Sequence, residues 1–260
     1  MTLLILIEAF KIHKVKQERR VQLWFLFLYI VNILPWVLPV GDKNFDPLLA
    51  AVEATLAGRT AQAVGWDLLS PGNRLFLGLM FLSYLITAFF TLMYSVLYID
   101  EKEGSAGRPV FVRCLKTVPQ LIMLTAIIAI PAAMSAMLAF IPLIVFVFMM
   151  YFLPLHLVFG QKKLFKAMQL SFDTTRGKKL SIFIRVFLVS FVLSVPQSIL
   201  SQLVSGNQLS YTVLNTFFVV IQALVQGRLM GILYLQLVKK VPFMIPSNSN
   251  VSGKNHDQEK

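Results

Sequence analysis

An arginine inside an apolar run is the residue of this sequence best placed to do chemistry. Arg228 stands about ten residues before the end of the last apolar run, or ~15 Å along a helix axis. An arginine at that depth costs about 2.5–3.5 kcal/mol on insertion scales, so the fold must supply oxygen atoms to it. Arg228 binds a phosphate, lines a polar cavity or pairs with backbone carbonyls, or else its side chain snorkels to the inner surface. We expect it to face the helix bundle, within reach of Gln222, Gln226 or a lipid headgroup.

Glutamine side chains accompany this arginine. Gln222 and Gln226 are four residues apart and lie on or near the same side of a helix as Arg228. Two interpretations are open: an interior polar strip that binds lipid or substrate, or hydrogen bonds that join helices at about 0.6 kcal/mol each. The strip would also include Gln197, Gln202 and Asn215.

A second candidate site is a group of lysines around a short amphipathic segment. The segment's apolar face comprises Leu164, Phe165, Met168 and Phe172. The lysines, called the elbow lysines below, are Lys162, Lys163, Lys166, Lys178 and Lys179. We predict an elbow helix over 161–177 that ends at Gly177 in the left-handed conformation. Its apolar face would enter the acyl boundary, while its lysines meet anionic headgroups at about 1 kcal/mol each.

Catalysis is not indicated by the remaining polar residues. The predicted spans contain no Asp or Glu, so the carboxylate relay of many pumps is missing. Cys114 is the single cysteine and the three histidines are dispersed, so metal-ligand spacing is absent, as are the common nucleotide-binding and nucleophile motifs. His156, near the inner end of a span, is either functional or a hydrogen-bonded interface residue. We therefore expect a non-enzymatic protein with no cofactor and no metal.

The composition is that of a membrane protein. Of the 260 residues, 57% are apolar and 14% are charged, whereas soluble domains have about 45–50% and 25%. Such a chain has too little charge to cover a water-exposed surface. The net charge of +12 does not indicate nucleic acid as a partner, because the basic residues fall between the apolar runs.

The apolar runs predict an all-α polytopic membrane protein with six transmembrane helices and interfacial elbow helices. Single crossings are predicted near residues 21–40, 75–99, 180–204 and 212–238. The run 117–159 has 43 residues, too long for one crossing, and predicts a hairpin with its turn near 135–139.

The chain divides into three regions around these spans. Residues 1–20 predict an interfacial basic helix in the headgroup layer, because their basic residues follow the apolar ones, the reverse of a secretory signal. Residues 21–240 form the six-helix membrane domain, and 241–260 predict a disordered cytoplasmic tail. Two shorter helices are predicted, one outside that starts at Asp46 with Pro47, and an inner elbow over 108–118.

The distribution of basic residues predicts the orientation. With both termini cytoplasmic, the inner segments hold nineteen of the twenty-four Lys and Arg, and the outer segment 41–74 holds three. This is a strong positive-inside pattern, which an odd number of crossings would scramble. We therefore predict a multi-pass protein with its N- and C-termini in the cytoplasm.

The stretch 151–190 resembles a bacterial polytopic family. That family includes the membrane domain attached to some glycerophosphoryl diester phosphodiesterases, and many stand-alone proteins. The matching features are an elbow with Ala167 and Ser171 and a closing Arg176-Gly177-Lys178 before an apolar hairpin; Lys178 stands where the family often has Asn. The resemblance implies six helices and a bacterial plasma membrane. It transfers no catalytic residue, because the phosphodiesterase chemistry belongs to a separate soluble domain.

Two function classes follow from these observations. The first is a membrane adaptor or lipid-interacting component whose partners are membrane lipids with anionic headgroups at the cytoplasmic face, with room for a protein partner or an oligomer. The alternative is a small transporter or channel subunit with a polar cavity near Arg228. An intramembrane lipid enzyme is a third class, for which the sequence offers no residues to name.

Overall fold

A computed structural model of the chain describes residues 2–57, 66–105, 109–124, 127, 141–160, 163–204 and 206–241. Within these ranges the regular secondary structure is helical, without strands. The helices are α1 (Thr2–Phe10), α2 (Glu18–Val37), α3 (Asp46–Leu56), α4 (Pro71–Lys102), α5 (Val110–Leu115), α6 (Ile141–Met149), α7 (Leu153–Gly160), α8 (Leu164–Thr175), α9 (Lys179–Leu203) and α10 (Gln208–Leu237). The all-α membrane class predicted from the sequence is confirmed.

Five helical stretches in the described part are long and apolar enough to cross a membrane. They are Glu18–Val37, Pro71–Lys102, Leu143–Gly160, Lys179–Leu203 and Gln208–Leu237. Four match the single crossings predicted from the sequence, and the fifth matches the second arm of the predicted hairpin. The hairpin turn near 135–139 and most of the tail lie outside the described residues.

Local chemistry accounts for several helix ends. The Ser70 side chain accepts a hydrogen bond from the Asn73 backbone N–H (3.2 Å), and Pro71 occupies the first turn of α4. Asn207 caps α10 in the same way. Gly177 has a φ of +73°, in the left-handed region that favours glycine, and separates α8 from α9.

Helix α10 lies at the centre of the bundle and packs against α1, α2, α4 and α9. In its most apolar stretch 67% of the residues are buried, against 17% in α2, α4 and α9. Its contact with α4 is close because small residues line it. A Cβ atom on Gly227 would lie 2.7 Å from the Thr91 carbonyl oxygen, and one on Gly231 would lie 2.9 Å from Tyr98 Cδ1. The Gly227 and Gly231 pair has the spacing that lets membrane helices approach each other.

Four helix ends meet at one end of the bundle, called the common end below. The Lys16 backbone N–H, just before α2, donates to Glu101 Oε2 near the end of α4 (3.0 Å). Lys239, after α10, pairs with Glu103 at 3.0 Å and lies over the Phe159 ring of α7 at 5.5 Å. The start of α2 and the ends of α4, α7 and α10 therefore lie together.

The N-terminal segment differs from the prediction of one interfacial helix over 1–20. Helix α1 ends at Phe10, and a turn separates it from α2. Ile5 and Ala9 are fully buried in the main hydrophobic core, while Leu3 and Ile7 are exposed. Helix α1 is apolar apart from Glu8, so packing one face against the bundle removes apolar surface from solvent and brings that carboxylate inside.

Candidate functional site

The guanidinium of Arg228 is enclosed by protein. Its side chain is 1% exposed, and its Nη2 donates to Glu8 Oε1 at 2.7 Å. Its Nη1 lies 3.2 Å from the Lys14 carbonyl oxygen and 3.4 Å from the Tyr94 hydroxyl. The guanidinium carbon lies 4.8 Å from the centre of the Tyr98 ring, a cation–π distance. Arg228 therefore faces the bundle, with oxygen partners supplied by the N-terminal segment and α4.

Glu8 provides the negative charge that this arginine needs. Its Oε2 also pairs with Lys11 Nζ one helical turn later, at 3.1 Å. Partial burial raises the pKa of Glu8, but the hydrogen bonds and charges of Arg228 and Lys11 outweigh it, so the pKa lies below its usual value. Glu8 is consequently ionised at neutral pH, and the pair fixes α1 against α10.

The two glutamines expected beside Arg228 have other partners. Gln222 Nε2 and Gln226 Nε2 both lie 3.2 Å from Ser190 Oγ, and Gln226 Nε2 also lies 3.3 Å from the Val186 carbonyl oxygen. These contacts join α10 to α9. The expected polar strip around Arg228 is therefore divided, because Arg228 turns toward α1 and α4 while the glutamines turn toward α9.

A further polar pair joins α9 to α10 nearer the opposite end of the bundle. Gln197 Nε2 donates to Asn215 Oδ1 at 2.7 Å. His156, the histidine singled out from the sequence, is buried in α7 with its ring 5.5 Å from that of Tyr234. These residues hold helices together, and the described contacts do not bring them to Arg228.

The elbow helix forms where it was expected, and of the apolar face assigned to the acyl boundary Leu164 is buried against the bundle. The buried residues of this helix are Leu164, Ala167, Ser171 and Thr175. The Ser171 and Thr175 hydroxyls donate to the Met149 carbonyl oxygen at 2.9 and 3.3 Å. Phe165, predicted to share the apolar face with Leu164, is 67% exposed. The packing face follows small and hydroxyl residues because they permit close contact with α6.

Four of the elbow lysines are described by the structure. Lys163, Lys166 and Lys178 are exposed. Lys179 is half-buried, with its Nζ 5.2 Å from the centre of the Phe172 ring. Lys162 lies outside the described residues. Since α8 follows α7, whose last turn lies at the common end, these lysines start from that end of the bundle.

A groove at the common end was not predicted from the sequence. It has a volume of about 580 Å³ and lies between the start of α2, the C-terminal part of α4 and the start of α5. Its apolar lining includes Trp24, Leu97 and Phe111, and its polar lining includes Lys16 and Glu101. From the sequence, Lys16 belonged to the basic N-terminal segment, Trp24 and Leu97 to two spans, and Phe111 to an elbow. Nothing in their spacing shows that these residues meet.

Asp100 also lines this groove. Its side chain is 4% exposed and forms an ion pair with Arg113, whose guanidinium carbon lies 5.5 Å from the Phe159 ring centre. Asp100 is thereby neutralised within the protein. The pair fixes α5 against the end of α4, so the α5 wall of the groove is held in place.

Sequence reasoning also missed Glu8 as the partner of Arg228. The available signal was a single carboxylate in an otherwise apolar nine-residue helix. Residues Glu8 and Arg228 are 220 positions apart, a separation that periodicity cannot bridge.

Neither a metal-binding group among the described residues nor a similar known protein assigns a function to this site. Among the described residues, no group of three or more His, Cys, Asp or Glu could hold a metal ion. The resemblance of 151–190 to the membrane domain of glycerophosphoryl diester phosphodiesterases therefore stays an expectation based on that motif. No protein-family model, curated protein or solved structure matches the chain.

Proposed function

We propose that this chain is a non-enzymatic integral protein of the bacterial plasma membrane, acting as a membrane adaptor or lipid-interacting component. The elbow helix α8 would bind anionic headgroups at the cytoplasmic face. The main support for the proposal is that one side of the elbow helix packs on the bundle while its lysines are exposed on the other sides. One face is fixed to the bundle through Ser171 and Thr175, while Lys163, Lys166 and Lys178 are exposed.

The exposed apolar residues around these lysines support the same proposal. Phe165 is 67% exposed and Leu180, in the first turn of α9, is 70% exposed. A surface that combines aromatic or aliphatic side chains with lysines suits the boundary between headgroups and acyl chains. Each lysine near an anionic surface contributes about 1 kcal/mol, and added salt should weaken the attraction.

The alternative, a small transporter or channel subunit with a polar cavity near Arg228, has less support. Transport through such a cavity would need the guanidinium to be available to a substrate. Arg228 is instead 1% exposed and engaged by Glu8, Tyr94 and the Lys14 carbonyl oxygen. Those partners give it a structural role in the bundle.

The proposal can be tested on the full-length protein with the described elbow lysines changed together to glutamine (Lys163, Lys166, Lys178 and Lys179). Purified protein would be titrated with phosphatidylglycerol in mixed micelles and bound lipid counted by native mass spectrometry. Each lysine contributes about 1 kcal/mol to the attraction, less in the presence of salt, so removing all four charges should make binding at least tenfold weaker. The matched control changes the same four residues to arginine, which keeps the charge and should keep the binding. Undiminished binding in the glutamine variant would contradict the proposal.

A further inference from the structure

The groove at the common end has an apolar wall of the kind that accepts an acyl chain. The wall is formed by Trp24 of α2, Met93 and Leu97 of α4, and Val110 and Phe111 of α5. Met93 and Leu97 are buried at its floor, whereas Phe111 is 51% exposed at its edge. The volume of about 580 Å³ falls within the range of small-molecule sites, roughly 300–1,000 Å³.

The rim of the groove carries both signs of charge. Lys16 and Arg20 line the groove and are exposed, and in the part of the chain that the structure describes neither forms an ion pair. Arg20 Nη1 donates only to a neutral partner, Gln17 Oε1, at 2.7 Å. The carboxylate of Glu101 lies on the same rim and accepts the Lys16 backbone N–H through Oε2. Besides the Asp100–Arg113 ion pair, two cations and one carboxylate therefore border an apolar groove.

We infer that this groove binds one membrane phospholipid with a zwitterionic, primary-amine headgroup. The phosphate would lie between Lys16 and Arg20, because both side chains donate charge-assisted hydrogen bonds to phosphate oxygens. The ammonium group, with three donors, would reach Glu101. One acyl chain would extend along Trp24 and Phe111. The glycerol of phosphatidylglycerol has no cation, so it would offer Glu101 neutral hydrogen bonds in place of an ion pair with an ammonium group, and it should bind more weakly.

This inference goes beyond the proposed function, because the groove and the elbow lysines are separate surfaces. The groove is formed by α2, α4 and α5, whereas the elbow lysines flank α8. A variant of one surface leaves the other intact. The two ideas can therefore succeed or fail separately.

The test uses the purified full chain and native mass spectrometry with three lipids of identical acyl chains. In the elbow variant with four glutamines, which removes the surface proposed to bind anionic lipids, phosphatidylethanolamine should bind with one-to-one stoichiometry. It should bind at least tenfold more tightly than phosphatidylcholine, whose quaternary ammonium cannot donate a hydrogen bond, or phosphatidylglycerol, which has no ammonium group. Glu101→Gln keeps an acceptor for the Lys16 N–H but removes the charge, so it should abolish the preference for phosphatidylethanolamine over phosphatidylcholine. The double change Lys16→Ala with Arg20→Ala should weaken binding of both lipids at least tenfold.

Two further measurements make the outcome decisive. Val110→Trp fills the apolar part of the groove and should reduce lipid binding without changing any charge. The elbow variant with four glutamines is the matched control and should keep its affinity for phosphatidylethanolamine. Equal affinities of the three lipids for the variant with four glutamines would overturn the inference, as would unchanged binding in Glu101→Gln and Val110→Trp. Displacement of the lipid by inorganic phosphate alone would also overturn it, since the site would then recognise free phosphate.

Discussion

Arg228 receives its counter-charge from a residue that lies 220 positions earlier in the chain. Burying two charges costs desolvation free energy that their attraction only partly returns, so such a pair is weak evidence of added stability. Removing one partner is different, because the other is left without compensation. The pair therefore fixes the position of α1 on α10. Removing one of its charges should weaken the packing of these two helices.

The contribution of this pair can be measured by a double-mutant cycle. Removing one partner of a buried pair costs about 3–5 kcal/mol, and we expect ~2–3 kcal/mol for Arg228→Leu because Glu8 keeps Lys11 and some exposure. Glu8→Gln should also lower the melting temperature of the detergent-solubilised protein. The double variant should lose less than the sum of the two single variants, because each removes the same interaction. Strictly additive losses would show that the two side chains do not interact.

The same pair predicts a dependence of stability on pH. The pKa of Glu8 in the folded protein lies below its usual value of 4.5. The folded state therefore binds this proton less readily than the unfolded state, so Glu8 stabilises the fold above pH 4.5. That contribution is lost as the pH falls through the lower, folded pKa. Melting temperatures of the parent and Glu8→Gln should differ at pH 6 to 7 and converge as the pH falls below about 4. A constant difference down to pH 3 would refute this assignment.

The sequence identified Arg228 as a residue that needs partners, but it did not identify those partners. Arg228 was identifiable because an arginine deep in an apolar run needs partners. Its partners come from a short N-terminal helix, a backbone carbonyl and a tyrosine, and none of these carries a spacing signal. The sequence placed the glutamines on or near its side of α10. Gln226 and Gln222 precede Arg228 by two and six residues, roughly 200° and 240° around a helix, which directs them to α9 instead.

Helix contacts in this bundle depend on glycine where α10 meets α4. The Ser95 hydroxyl donates to the Gly227 carbonyl oxygen at 2.7 Å, which requires the two backbones to be close. The Thr91 carbonyl oxygen that faces Gly227 belongs to the helix backbone and cannot rotate away. Any side chain at Gly227 must therefore separate the two helices.

Gly227→Ala is accordingly expected to destabilise the protein, although alanine is the better helix former. The added methyl group would lie 2.7 Å from the Thr91 carbonyl oxygen, and overpacking of this kind costs about 1–3 kcal/mol. Gly78→Ala is the matched control, since a Cβ there meets no atom within 4 Å. Thermal unfolding in detergent should show a lower melting temperature for Gly227→Ala and an equal or higher one for Gly78→Ala. The reverse order would exclude close helix packing at this position.

Helices were predictable from the sequence wherever a long apolar run or a cap defined them. Ser70 with Pro71 opened α4, and Gly177 closed the elbow, because the physical signal lies within a few residues. Helix α1 was placed on the membrane surface instead, since its burial depends on the rest of the bundle. In α8 the exposed Phe165 fits the side assigned to the acyl boundary, whereas Leu164 is buried, and the contact of Ser171 with α6 carries no signal in the apolar pattern.

The arrangement of helix ends bears on the number of crossings in the whole molecule. The start of α2 and the end of α10 both lie at the common end, so an even number of crossings separates them. The described residues provide five candidate spans. The ends of α4 and α7 also lie at the common end, although one candidate span, Leu143–Gly160, lies between them. The first arm of the hairpin predicted from the sequence would supply a further crossing, and most of that arm lies outside the described residues.

The last prediction is that the chain crosses six times, with both termini in the cytoplasm. Its basis is the parity of the described helix ends together with the excess of basic residues, nineteen against three, in the segments assigned to the inside. Single cysteines would be introduced by Glu53→Cys in α3, Gln208→Cys at the start of α10, and a change at Ser249 in the tail, all on a Cys114→Ala background. In intact cells an impermeant maleimide should label the first two positions, because they lie at the end opposite the cytoplasm. It should label the tail position only after the membrane is permeabilised. Labelling of the tail in intact cells, with Glu53→Cys protected, would show the inverted orientation. Labelling of the tail together with Glu53→Cys, with Gln208→Cys protected, would show an odd number of crossings.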